Sequence, residues 1–202
     1  MPADWCTILL RIAETSAMER SLKPTSVTSR EDRTVESVDV STVGGLKLAN
    51  EAPWLDQLYR TSFRELAEMQ FKTPVKCAED TRISININVQ YPGRRYEAHV
   101  DSNPIEGLLY VTDHPKGSGG ELVVANNENA IGVSEIDSDA SVVYPVAGHL
   151  VFFDARERPH YVRELAIGSK GPRVVVAMNF YTADSPESAR PSDLNRHLFG
   201  ED

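Results

Sequence analysis

Two side chains in the segment Tyr96-Glu97-Ala98-His99-Val100-Asp101 have types and spacing suited to binding a metal together. His99 and Asp101 stand two residues apart, so on an extended strand they project from the same face, an imidazole beside a carboxylate. A second imidazole from a distant strand would complete a 2-His-1-carboxylate facial triad, which leaves metal positions open for a co-substrate and oxygen. Alone the pair is a weak signal, because the chain has five histidines and one coincidental Asp at this offset would surprise nobody. The further element is His160, in Pro159-His160-Tyr161-Val162, after the apolar run Leu150-Val151-Phe152-Phe153-Asp154. Arg173 then opens the apolar run ending at Tyr181. On that strand's inner face an arginine needs a partner, and a dicarboxylate would supply a bidentate one.

The elements that must position these groups follow from periodicity. Helical spacing of Trp5, Leu9, Ile12 and Met18 predicts a helix over 4–20, and a clearer one runs over 53–71. In the second, Asn50 is the candidate cap, Pro53 stands in the first turn, and Trp54, Leu58, Leu66 and Met69 make the apolar stripe. After Pro74 the period becomes two. The run from Arg82 to Gln90 alternates throughout, with β-branched residues on one face and Ser84, Asn86, Asn88 and Gln90 on the other. That polar row faces either water or a wet interior cavity. Further strands are predicted over 96–100, 107–113, 121–125, 140–144, 149–154, 160–165 and 173–181, separated by turn-rich stretches such as 115–120 and 168–172. Many short strands after one or two helices indicate a sandwich, jelly roll or barrel with helices packed outside.

At 202 residues, 41% hydrophobic and 25% charged, the composition is that of a globular chain, for which one domain is the expectation. We divide it into N-terminal helices with connecting strands (1–73), a β core (74–185) and a tail (186–202); the Ser- and Thr-rich stretch 21–33 reads as a mobile linker. The net charge of −9 argues against nucleic acid or an anionic membrane surface as partner. The amino terminus carries neither a signal-peptide core nor a span of about 20 apolar residues. Two cysteines, Cys6 and Cys77, without CxxC spacing suit a reducing compartment, so a cytoplasmic location is expected.

As an ordered set, Tyr91-Pro92-Gly93-Arg94-Arg95-Tyr96-Glu97-Ala98-His99-Val100-Asp101, Leu108-Leu109-Tyr110-Val111, Gly119-Gly120-Glu121-Leu122, Gly148-His149-Leu150-Val151-Phe152-Phe153-Asp154, Pro159-His160-Tyr161-Val162 and Arg173-Val174-Val175-Val176 resemble the Fe(II)/2-oxoglutarate-dependent dioxygenases. The order of motifs is most similar to the prolyl 4-hydroxylase branch, including the hypoxia-factor prolyl hydroxylases. The resemblance implies a mainly β fold with flanking helices, a double-stranded β-helix or cupin-like jelly roll. It also implies Fe(II) as cofactor, with 2-oxoglutarate and O2 as co-substrates. His99, Asp101 and His160 would be the iron ligands. Arg173 and Tyr110 would bind the distal carboxylate of 2-oxoglutarate, and Tyr91 would line the pocket near it. Arg173, Val175, Ala177, Asn179 and Tyr181 share one strand face, so Asn88 and Asn179 become candidate substrate contacts.

Two departures from the branch bear on the substrate. Asn179 replaces a tryptophan and Ala177 a threonine of the hypoxia-type enzymes, which turns the expectation from a protein-bound proline toward a small molecule, such as a free amino acid or biosynthetic intermediate. With Asp101 present, hydroxylation rather than halogenation is expected. The alternatives are a protein or peptide prolyl hydroxylase and, from another class, a non-catalytic metal-binding jelly-roll module or oxygen sensor. Of the other histidines, His114 reads as a solvated loop residue, His149 as a partly buried structural one, and His197 as part of a polar tail. The oligomeric state is not legible.

Overall fold

The computed structural model describes residues 1–22 and 27–191. In chain order the elements are α1 (Trp5–Ser16), β1 (Met18–Leu22), β2 (Val38–Val43), α2 (Gly45–Glu51), α3 (Pro53–Leu58), a π-helical turn (Tyr59–Phe63), α4 (Arg64–Phe71), β3 (Lys76–Cys77), α5 (Thr81–Ser84), β4 (Ile85–Gln90), β5 (Tyr96–His99), β6 (Ile105–Tyr110), β7 (Leu122–Ala125), α6 (Gly132–Ser138), β8 (Ala140–Val143), β9 (Leu150–Asp154), β10 (His160–Val162) and β11 (Arg173–Tyr181). A seven-stranded sheet runs β1-β2-β4-β11-β6-β9, with β3 paired to the far end of β11; a four-stranded sheet runs β5-β10-β7-β8. Every ladder is antiparallel. The fold is mainly β, a jelly roll with helices outside, as the strand spacing predicts.

Alternation along the central strands sorts the two faces of the large sheet. Ile85, Ile87, Val89, Val174, Val176, Met178 and Phe180 point outward into a core closed by the helices through Leu9, Ile12, Leu48, Leu55 and Tyr59. The opposite face carries Leu108, Tyr110, Val175 and Ala177, which meet Leu122 and Val162 of the small sheet. The interior between the sheets is where the chemistry-bearing residues converge.

Three local readings need correction. The first helix ends at Ser16, and Met18, expected to pack beneath it, lies 52% exposed at the start of β1. Arg82–Ser84 are helical rather than extended: the Asp80 carboxylate accepts the Arg82 backbone N–H at 2.9 Å, capping one turn that delays the strand to Ile85. The long helix buries Leu55, Tyr59, Phe63 and Ala67, while Leu66 and Met69 are exposed. An i+4 row drifts around an ordinary α-helix, but the π-helical turn at 59–63 underwinds the backbone and keeps the row on one side. Asn50 lies inside α2, and Ala52 occupies the cap position before Pro53.

Two pieces of the N-terminal region hold the core in place. Gly45 presses α2 onto the backbone of α5, where a Cβ would fall 1.9 Å from the Thr81 carbonyl oxygen. The stretch read as a mobile linker is tied down once past residues 23–26, which lie outside the described residues. Arg30 N–H donates to the Ala98 carbonyl at 2.7 Å and Val100 N–H to the Thr28 carbonyl at 2.9 Å, so this strap extends the small sheet along β5.

Candidate metal centre and co-substrate pocket

His99 and His160 sit opposite each other in the β5–β10 ladder, with ring centroids 4.4 Å apart. Asp101 follows β5 on a turn held by its own N–H, which donates to the Ala155 carbonyl at 2.8 Å. His99 Nε2 lies 3.6 Å from one carboxylate oxygen of Asp101, and His160 Nε2 lies 3.5 Å from the other. One ligand atom from each of the three residues falls within 4.8 Å of the rest, the only such group of three found among the described residues.

The rings are oriented for metal rather than for each other. His99 Nδ1 is 2.7 Å from the Glu97 carbonyl oxygen and His160 Nδ1 is 2.9 Å from that of Arg158. A carbonyl only accepts, so both Nδ1 atoms carry the proton and both Nε2 lone pairs face Asp101. Burial, and then the neighbouring His160, push His99 below the ordinary histidine value, which favours the neutral ligand form. Burial opposes ionisation of Asp101, yet its contacts with the Glu106 carboxyl and with His160 outweigh that and hold it well below the usual carboxylate range. Burial and repulsion from Asp101 push Glu106 the other way, well above its ordinary value. The donor set is that of a facial triad, and its geometry fits a divalent first-row metal with open positions.

Arg173 opens β11, paired with Gln90 of β4, and is 1% exposed. Its Nε finds no hydrogen-bond partner among the described residues, and the guanidinium carbon stands 5.2 Å from the centre of the Tyr110 ring. The hydroxyls of Tyr110 and Tyr96 are also buried without hydrogen-bond partners among the described residues. Burial pushes the Tyr96 phenol up to about 12, against the pull of Arg173 and Arg94, and raises Tyr110 as well, so both remain donors at neutral pH. Gly120, at φ +78°, closes the cradle: a Cβ there would crowd the Arg173 side chain at 3.1 Å. A buried cation flanked by two orphaned donors is what a carboxylate guest would satisfy.

The structure therefore brings together His99, Asp101, His160, Arg173 and Tyr110. Tyr91 departs from the expectation: Gln90 points inward opposite Arg173, so alternation sends Tyr91 out, 39% exposed and beside the Arg94 guanidinium. Tyr96 lines the interior in its place, and its signal in the sequence was its position just ahead of the His99-Asp101 pair. Asn88 is half-buried on the inner face opposite Val175. Asn179 lies opposite Glu106 and spends its amide N–H on the Ile83 carbonyl. His114 is buried rather than solvated, 5% exposed and 3.2 Å from the Pro172 carbonyl through Nε2, whereas His149 is exposed. His197 lies outside the described residues.

No helix among the described residues is long and apolar enough to cross a membrane. Residues 83–181, which hold the whole cluster, match the model of the 2OG-Fe(II) oxygenase superfamily. No curated protein matches the chain. Among solved structures, AviO1 from Streptomyces viridochromogenes Tue57 is similar at TM-score 0.60 and 17% identity, over 92% of this chain and 88% of that one. The non-haem alpha-ketoglutarate-dependent epimerase SnoN from nogalamycin biosynthesis aligns at 0.58 and 14%, over 90% and 72%. The viral collagen prolyl hydroxylase of Paramecium bursaria Chlorella virus-1 aligns at 0.51 and 12%, over 88% and 89%. At these identities the structures speak for the fold, and the family match speaks for the chemistry. The superfamily whose model residues 83–181 match uses Fe(II), 2-oxoglutarate and O2, and His99, Asp101 and His160 could form its iron site.

Proposed function

We propose that the protein is a hydroxylase that oxidises an unactivated C–H bond of a small molecule, such as a free amino acid or biosynthetic intermediate, while 2-oxoglutarate is converted to succinate. The observation that carries the reading is the joint presence of a three-residue ligand cluster and a buried Arg173, its Nε without a hydrogen-bond partner among the described residues, within one β interior. Through their Nε2 atoms His99 and His160, with one oxygen of Asp101, would hold Fe(II). Arg173, helped by the Tyr110 and Tyr96 hydroxyls, would take the distal carboxylate of 2-oxoglutarate. The bound iron and co-substrate supply the activation of O2 that the protein's own side chains lack.

The chain contributes binding, orientation and exclusion of water. Leu108, Val175, Ala177 and Phe153 wall the interior, and the Phe153 ring stands edge-on to His160 at 4.8 Å, which restricts motion of that ligand. Asn88 and Asn179 remain the nearest candidates for contact with the substrate. Ala177 and Asn179 leave a wall unlike that of the hypoxia-type enzymes, which favours a small substrate. A likeness to SnoN, from nogalamycin biosynthesis, supports that direction. The motif order and the likeness to the viral collagen prolyl hydroxylase support a peptide prolyl hydroxylase as second reading. Succinate formation separates them: with Fe(II), 2-oxoglutarate and air, a free compound drives it under the first reading and a proline-rich peptide under the second.

A further inference from the structure

The peptide unit joining Glu97 to Ala98 lies beside the metal ligands and is held at both ends. The β5–β10 ladder pairs His99 with His160 and Tyr96 with Val162, so Glu97 and Ala98 together face the single residue Tyr161. This is a β-bulge, a device that frees backbone groups from the ladder and re-aims a neighbouring side chain. Here the Ala98 N–H donates to the Glu31 carboxylate at 2.7 Å. Glu31 belongs to the strap, 67 residues upstream, and its side chain is 3% exposed. The same carboxylate oxygen accepts from the Arg95 guanidinium at 2.7 Å. The strap is itself anchored at this point, because Arg30 N–H donates to the Ala98 carbonyl and Gly132 N–H, at the start of α6, donates to the Arg30 carbonyl at 2.6 Å.

The carbonyl of the same peptide unit is that of Glu97, the acceptor for the His99 Nδ1 proton at 2.7 Å. Because a peptide is planar and trans, its N–H and C=O point in fixed, opposed directions. Glu31, the 97–98 peptide and the His99 imidazole therefore form one chain of hydrogen bonds that ends at Nε2, the atom facing Asp101. A carboxylate at the far end polarises the amide between, which strengthens its carbonyl as an acceptor and the imidazole as a ligand. His160 supplies the contrast. Its Nδ1 also bonds to the carbonyl two residues before it, that of Arg158, but this peptide unit ends in the nitrogen of Pro159, which carries no hydrogen. No carboxylate reaches His160 by the same route.

We propose that Glu31 is a positioning residue for the metal centre: through the 97–98 peptide it holds the bulge and fixes the His99 ring in the orientation that metal binding requires. This rests on the reading that His99, Asp101 and His160 hold the iron. The bond to the Ala98 N–H carries the effect, and the ion pair with Arg95 keeps the carboxylate in place. Of the two imidazoles, His99 depends on the strap and His160 does not.

The test uses the full chain, with Fe(II) added anaerobically to measure affinity and with Zn(II) as a diamagnetic stand-in for NMR of the two imidazole Nδ1–H groups in isotope-labelled protein. Glu31→Ala should weaken Fe(II) binding about tenfold or more, the lower end of what outer partners of metal ligands are worth. Glu31→Gln keeps an oxygen for the Ala98 N–H and should stay within about threefold of the wild type. Glu31→Asp keeps the charge but, one methylene shorter, draws its oxygens away from Ala98. It should fall with the alanine variant, and it decides the matter if that variant does not fold. In the weakened variants the His99 Nδ1–H resonance should shift while that of His160 stays in place, a selectivity that a general loss of packing does not produce. Unchanged Fe(II) affinity in the alanine and aspartate variants overturns the proposal. So does a glutamine variant as weak as the alanine one, or a pair of resonances that move alike; each of these leaves the metal site standing. A wild type that binds neither metal overturns the iron reading, and the proposal with it.

Discussion

His99 and His160 face each other across the β5–β10 ladder, and each fixes its Nδ1 proton on the carbonyl two residues before it, Glu97 for one and Arg158 for the other. One backbone rule is used twice, so both Nε2 atoms are left unprotonated and directed at Asp101.

Removal of either imidazole, as in His99→Ala or His160→Ala, should weaken Fe(II) binding at least about 100-fold, since even outer partners of metal ligands are worth 10- to 100-fold. Anaerobic calorimetric titration with Fe(II) checks this. Unchanged affinity in either variant would show that the cluster is not the metal site.

Arg173 is held at a cost in the metal-free protein, because its charge is buried with no ion pair among the described residues. Arg173→Met should stabilise that form by about 1–4 kcal/mol, read by urea unfolding. The same variant should lose the rise in Tm that 2-oxoglutarate gives the iron-loaded wild type.

Much of the site was legible because strands have a strict period. The spacing of His99 and Asp101 follows from alternation, the roles of His160 and Arg173 came with the resemblance to the dioxygenases, and β11 spans Arg173–Tyr181 as expected. What failed were places where the period is interrupted. The turn between Gln90 and Tyr96 reversed which tyrosine faces inward, and the Asp80 cap hid a helical turn inside an alternating run. The π-helical turn moved the apolar stripe from Leu66 and Met69 to Phe63 and Ala67. Glu106 went unnoticed because one acid at the edge of an apolar strand looks solvated until pairing shows its neighbours.

The thiol of Cys77 donates to the Tyr59 carbonyl at 3.5 Å, and burial pushes it up to about 11. At pH 8 its alkylation by iodoacetamide should therefore run about 100-fold slower than that of an ordinary thiol. A folded pKa above the unfolded one gives stability that is complete below the ordinary thiol value of 9.0 and is lost as pH rises through about 11. Cys77→Ala should flatten the fall in stability over that window, measured by urea midpoints from pH 8 to 11.

Gly45 allows α2 to lie against the α5 backbone. Gly45→Ala should destabilise the protein by at least about 2 kcal/mol, because the Thr81 carbonyl it would strike belongs to the main chain and cannot swing aside. Unfolding midpoints at equal m-value check this.

The central claim is that one interior holds iron through His99, Asp101 and His160 and 2-oxoglutarate through Arg173. Anaerobic titration of the purified protein with Fe(II) and 2-oxoglutarate, followed by visible absorption beside Arg173→Ala, tests it most directly. The account predicts a charge-transfer band in the wild type that saturates with co-substrate and is weaker in the variant at matched concentration. Absence of the band together with absence of iron binding, or a band of equal strength in both proteins, would contradict it.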